Sequence, residues 1–188
     1  ETAAFGDYDN DGLVDLYVTN SAGTKKNFLY KNLGGNNMEL VTGISPVTDL
    51  FSSRNVSWSD IDSDGDLDLY VTNENGEKEN LYRNNGGGSF EKMTDLIITT
   101  DGFNTMSSSW GDIDNDGDLD LFLANDGSKN QLFRNEGNFV FTRVLTTDVS
   151  KVNAKSFSSA WADIDNDGDL DLFVTNAFQN GQRLKNNL

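Results

Sequence analysis

The chain has 188 residues, with 31 Asp and Glu against 14 Lys and Arg, a formal charge of −17 and a pI near 4.1. That balance argues against nucleic acid and anionic membrane surfaces as partners, and no apolar run approaches the ~20 residues of a membrane helix, so no membrane insertion is expected. Cys and His are both absent, which removes disulfides, thiolate and imidazole chemistry, and zinc or copper sites built on soft ligands.

From Glu1 the chain begins without Met, a basic-then-apolar leader or a lipidation signal, as a processed or excerpted piece would. The first predicted strand is "TAAFGDY". The acidic turn "DYDNDGLVD" follows from Asp7, and then come "VDLYVTN", "NFLYKN" and "MELVTGI". These are short runs of aromatic and aliphatic residues broken by Asn, Gly and Asp, the pattern of short β-strands. A connection, "SPVTDLFSSRNVS", leads to a second round of the same elements around "DIDSDGDLD" from Asp60, with "DLYVTN" and "ENLYRN" after it. "TTDGFNTMSSS" leads to a third round, around "DIDNDGDLD" from Asp112, with "LDLFLAN", "NQLFRN" and "FVFTRVL". The fourth, "DIDNDGDLD" from Asp163, sits between "SSAWADI" and "LDLFVTN"; "QRLKNN" then ends the chain before any fourth strand. The Asp clusters recur at offsets of 53, 52 and 51 residues, a period that marks a repeat architecture.

Four short strands, A to D, in ~50 residues are the signature of a propeller blade. The expected fold is therefore all-β: a β-propeller of four repeats with up to four antiparallel strands each and the acidic turn between strands A and B. As one domain over 1–188 the repeats span about 1–53, 54–106, 107–157 and 158–188, giving 15 strands because the last lacks its outer one. No window carries a helical stripe, and the Ser/Thr-bearing connections read as loops between blades. An aromatic stands two residues before each cluster (Phe5, Trp58, Trp110, Trp161), a position suited to blade-to-blade packing. Asn32, Asn84, Asn135 and Asn186 are expected to cap turns. Asn55, in "NVS", heads the single glycosylation sequon.

The motif D-x-D-x-D-G-x-x-D has a chemical logic. Side chains at positions 1, 3, 5 and 9 can wrap inward, position 7 can offer its carbonyl, and Gly at position 6 permits the sharp turn. Hard oxygen donors in a forgiving geometry suit Ca²⁺, which takes 6–8 of them; Mg²⁺ demands a stricter octahedron. Four Ca²⁺ sites follow. The first uses Asp7, Asp9, Asp11 and Asp15 with the Leu13 carbonyl; the second Asp60, Asp62, Asp64 and Asp68 with the Asp66 carbonyl. The third uses Asp112, Asp114, Asp116 and Asp120 with the Asp118 carbonyl; the fourth Asp163, Asp165, Asp167 and Asp171 with the Asp169 carbonyl. An EF-hand would need Glu at position 12, where this chain has Val18, Val71, Leu123 and Val174 inside β-like runs. Without a cation, carboxylates ~4 Å apart repel by roughly 4 kcal/mol at an effective dielectric near 20. The acidity is also localised: these loops hold 19 of the 31 acids, and the other 12 face 14 Lys and Arg. A glycosidase pair of carboxylates is disfavoured because every clustered Asp is better used as a ligand.

"FGDYDNDGLVDLYVTN" and "NLYRNNGGGSFEKMTD" together resemble FG-GAP/VCBS-type repeats, the calcium-binding blades of integrin α-subunit heads and of many secreted proteins. The resemblance covers all four copies. It implies a β-propeller with Ca²⁺ in the A–B loops, an extracellular, secreted or cell-surface setting, and non-enzymatic roles in adhesion, protein interaction or assembly. Alternatives within the family are a lectin-like propeller that binds extracellular glycans, or the non-catalytic part of a polysaccharide-degrading enzyme. Strand C of the fourth repeat departs from its siblings, with Arg183 and Leu184 replacing Leu29 and Tyr30. Three arrangements would satisfy the edge of an unfinished fourth blade: closure of the four blades into a small ring, membership of a larger propeller, or a strand supplied by another protein chain, including filament-like self-assembly. The piece is expected not to be a free monomer.

Overall fold

The computed structural model describes residues 2–21, 23, 25–147, 153–179 and 182–183. Three four-strand meanders follow one another. The first is β1 (Ala3–Gly6), β2 (Asp15–Val18), β3 (Phe28–Asn32) and β4 (Met38–Leu40). The second is β5 (Ser53–Ser59), β6 (Asp68–Asn73), β7 (Asn80–Asn84) and β8 (Phe90–Met93); the third is β9 (Thr105–Gly111), β10 (Asp120–Lys129), β11 (Gln131–Asn135) and β12 (Phe141–Val144). Within each of these meanders the pairings are antiparallel and sequential, so the predicted A, B, C and D strands occupy adjacent places in each sheet. In the fourth repeat β13 (Asn153–Ala162) pairs with β14 (Asp171–Asn176). The inner strands β1, β5, β9 and β13 are neighbours in space, so the sheets stand side by side in a propeller-like array.

Two features differ from the sequence reading. Each connection between the first three sheets contains a single helical turn, α1 (Ser45–Thr48) and α2 (Ile97–Thr100). Neither turn is long enough to leave a periodic stripe, and both are held by tertiary contacts. Val47 and Ile98 are buried between sheets, and the hydroxyls of Tyr17 and Tyr70 donate to the carbonyls of Pro46 and Ile98, each at 2.6 Å. The second difference lies in the fourth repeat. Gln182–Arg183 (β16) of the expected strand C pairs with Phe178–Gln179 (β15) rather than with β14. The intervening Asn-Gly pair in the sequence favours a tight hairpin over a continued sheet. Residues 184–187 of the expected strand, Asn186 among them, lie outside the described residues.

The core lies between the sheets. Tyr8, Tyr17, Leu29, Leu69 and Tyr82 join the first two repeats, Tyr70, Leu81, Leu121 and Phe133 the second and third, and Phe122, Leu132 and Val174 the third and fourth. Each tryptophan docks on the preceding repeat, as its position suggested. Trp58 lies edge-on to Tyr17 (6.1 Å between centroids), Trp110 to Tyr70 (5.6 Å) and Trp161 to Phe122 (6.4 Å). Gly6 makes room: a Cβ there would come within 2.8 Å of the Trp58 ring. Phe5, the counterpart of these tryptophans, is 69% exposed. Polar links repeat across the same seams. Lys25 bridges to Phe51, Lys78 to Gly102, and Lys129 pairs with Asn153, because β10 runs on to meet β13. Asn55, the sequon residue, faces inward from β5, where its Oδ1 accepts from the Ser108 amide (3.1 Å) and hydroxyl (3.0 Å).

Candidate metal centre

Each acidic turn folds on itself by the same local bonds. In the second repeat the Asp60 carboxylate accepts from the amides of Asp64 and Gly65, both at 3.0 Å, and Asp64 accepts from the Asp66 amide at 3.0 Å. Asp7 and Asp11, Asp112 and Asp116, and Asp163 and Asp167 repeat the pattern. The glycine at position 6 has φ between 85° and 96° in all four turns, the left-handed region expected of it.

The ninth residue closes the loop from strand B. Asp68 accepts from the Ile61 amide (3.1 Å) within the turn and from the Asn84 amide (2.8 Å) on β7; Asp15 and Asp120 do the same with Tyr8 and Asn32, and with Ile113 and Asn135. These three carboxylates are fully buried. Burial outweighs the two amide donors and pushes Asp68 up to about 7, Asp120 to about 6, and Asp15 above its ordinary range. Asp171 receives the Ile164 amide at 3.0 Å.

The turns bring oxygens to one point. Carboxylate oxygens of Asp7, Asp9 and Asp15 lie within 4.8 Å of one another, as do those of Asp60, Asp62 and Asp64, of Asp112, Asp114 and Asp120, and of Asp163, Asp165 and Asp171. The donor set is all oxygen and suits a hard divalent cation. Asp9 Oδ1 and Asp62 Oδ1 are buried without a hydrogen-bond partner, which a cation bound there would supply. Asp66 and Asp169 direct their carboxylates elsewhere, to the side-chain amides of Asn10 (2.7 Å) and Asn115 (3.1 Å) in the preceding loops. The side chain of Asp118 lies against Gly137.

Three basic contributors went unread in the sequence. Lys31 pairs with Asp9 and with Asp11 (3.0 Å), Arg83 with Asp62 (2.6 Å) and Asp64 (3.4 Å), and Arg134 with Asp114 (3.6 Å). Their signal was the basic residue in "YKN", "YRN" and "FRN". The asparagine of the same triplets does cap its turn, accepting from Gly34, Gly86 and Gly137, but it also ties repeats together. Asn84 Nδ2 donates to the Tyr8 carbonyl at 2.7 Å and Asn135 Nδ2 to that of Ile61 at 3.1 Å.

The FG-GAP-like repeat family model matches this chain three times in overlapping register, at residues 7–71, 60–123 and 112–174. The chain belongs to the FG-GAP-like repeat family. This FG-GAP-like repeat protein is 29% identical over 206 residues to cartilage acidic protein 1 of Xenopus tropicalis, a match covering 98% of the chain and 31% of the relative. The chain thus spans about a third of the length of that relative. Among solved structures it resembles an Agrocybe aegerita lectin described for specific recognition of non-reducing terminal N-acetylglucosamine. The TM-score is 0.60 at 19% identity, over 96% of this chain and 49% of the lectin chain. It also resembles part of the Photorhabdus luminescens Tc holotoxin pore, with a TM-score of 0.53 at 20% identity over 92% of this chain and 8% of that one. Both likenesses concern the fold, which is β-propeller-like.

Proposed function

We propose that this FG-GAP-like repeat protein is a calcium-binding extracellular module of β-propeller architecture, non-enzymatic, that serves adhesion, protein interaction or assembly. The observation that carries this reading is the fourfold recurrence of one acidic cage, with buried carboxylate oxygens in two copies that have no other partner. Asp7, Asp9, Asp11 and Asp15 and their counterparts would hold Ca²⁺, with the carbonyls of Leu13, Asp66, Asp118 and Asp169 completing each shell. Bound ions would cancel the carboxylate repulsion and fix the A–B turns against the next repeat. Loops of this kind in extracellular modules bind at ~10⁻⁴–10⁻³ M, a range that favours a calcium-rich setting outside the cell. The exposed Phe5, in the place where tryptophans of later repeats pack on a neighbour, supports contact with a further repeat or another chain.

Calorimetric melting in chelator and in 10 mM CaCl₂ tests the proposal. At 10–100 times Kd each site adds ~1.4–2.7 kcal/mol, so four sites raise the melting temperature by roughly 10 °C or more, and Mg²⁺ restores less. Identical melting in chelator and calcium would sink the calcium reading. The fold likeness to a lectin favours a second reading, glycan binding, which a glycan array with no calcium-dependent hits would remove.

A further inference from the structure

We infer that the strand C residues Lys31 and Arg83 are built-in counter-cations that compete with the divalent ion for their own loops and set its affinity, while Arg134 is held back from that role by Glu136. The inference rests on the calcium reading above.

The competing groups share the same carboxylates. Arg83 Nη2 lies 2.6 Å from Asp62 Oδ2 and 3.4 Å from Asp64 Oδ2, and Asp62 is one of the three carboxylates converging in its loop. Lys31 stands in the same place in the first loop, on Asp9 and Asp11. A guanidinium or ammonium there neutralises part of the carboxylate charge. A dication entering the cage meets that like charge a few ångströms away and must displace it or bear the repulsion. Both basic side chains are about one-third exposed, so each has water within reach when it gives way.

The third repeat is an internal control. Arg134 sits in the same register, but Glu136, two residues on, takes its guanidinium at 2.7 Å on Nε and 2.5 Å on Nη2. Its nearest approach to Asp114 is 3.6 Å. The first and second repeats carry Leu33 and Asn85 where the third carries Glu136, so neither offers a rival carboxylate at that point. The order of competition is therefore Lys31 and Arg83 ahead of Arg134.

The test is a CaCl₂ titration of the full chain followed by two-dimensional NMR at the amides of Gly12, Gly65 and Gly117. Each of these amides donates to the first carboxylate of its own loop, so the three sites are read separately. Lys31→Gln and Arg83→Gln should tighten binding at Gly12 and Gly65 respectively by threefold or more, whereas Arg134→Gln should change Gly117 by less than twofold. Arg83→Lys keeps the charge and should leave Gly65 near the wild-type value, which separates charge from the packing of Arg83 on the Phe139 ring. Glu136→Gln, which frees Arg134, should weaken binding at Gly117 alone. If the wild-type titration moves no loop glycine, the calcium reading fails and takes this inference with it. If the wild type binds but Arg83→Gln and Lys31→Gln bind equally or more weakly, this inference alone is overturned.

Discussion

Glu79 should make the seam between the second and third repeats sensitive to pH, and Glu79→Gln should remove that sensitivity. Glu79 is 5% exposed. Its Oε2 accepts from the Asn73 amide at 2.6 Å, and its Oε1 lies 2.5 Å from the Thr105 hydroxyl, which is itself 2.9 Å from Asn125 Oδ1. The equivalent seams show what this arrangement needs. Asn27 Nδ2 donates to Ser53 Oγ (3.0 Å), which donates to Asn73 Oδ1 (2.9 Å); Asn130 Nδ2 donates to Ser156 Oγ (2.9 Å), which donates to Asn176 Oδ1 (2.7 Å). Thr105 has one hydroxyl proton and two oxygen neighbours, so only a protonated Glu79 completes the same relay. Burial, with the Asp101 charge adding to it, raises the Glu79 carboxyl to about 8 against the donors Thr105 and Asn73.

The folded value lies above the unfolded 4.5, so the stability tied to this proton is fully present below about pH 4.5 and is lost as pH rises, levelling off above about 8. At 1.36 kcal/mol per pH unit the whole span is worth at most ~5 kcal/mol, of which ~2–3 kcal/mol falls between pH 6 and 9. Urea denaturation of both proteins in saturating CaCl₂, followed by tryptophan fluorescence, measures it. The wild-type advantage over Glu79→Gln should shrink by about 2 kcal/mol or more from pH 6 to 9, since other titrating groups cancel in the difference. Gln can supply the N–H donor that Asn27 and Asn130 supply elsewhere. Parallel pH profiles for the two proteins would refute the reasoning.

Tyr70→Phe deletes a buried hydroxyl that donates to the Ile98 carbonyl at 2.6 Å and leaves that carbonyl without its partner. The expected loss is about 1–3 kcal/mol, or several degrees in melting temperature by calorimetry, and an unchanged transition would contradict it. Gly102→Ala places a Cβ 2.3 Å from the Gly76 carbonyl oxygen across the bridge between Lys78 and Gly102, where only backbone can yield. A cost of about 1–3 kcal/mol in urea denaturation is expected, and a change below ~0.5 kcal/mol would show that the two segments do not touch.

The acidic turns were legible from sequence because nearly every bond that shapes them is local. The first carboxylate binds the fifth and sixth amides, the fifth binds the seventh, and the ninth binds the second, so a nine-residue string carries its own geometry. The antiparallel strands and their order were legible for a related reason: each pairs with its neighbour in the chain. What lies between repeats was not. "DLYV" is the same string in β2 and β6, yet β6 is buried along its whole length while β2 buries only alternate residues. The difference is that sheets flank β6 on both sides. The same physics leaves Phe5 open where Trp58 is covered. The helical turns α1 and α2, the Lys31 and Arg83 contacts and the Glu79 relay join residues 19 to 29 positions apart, a range over which no local pattern fixes a partner. The sequence by itself determined the repeat, its strands and its acidic cages; stacking one repeat on the next decided which copies of identical residues are buried, charged or paired.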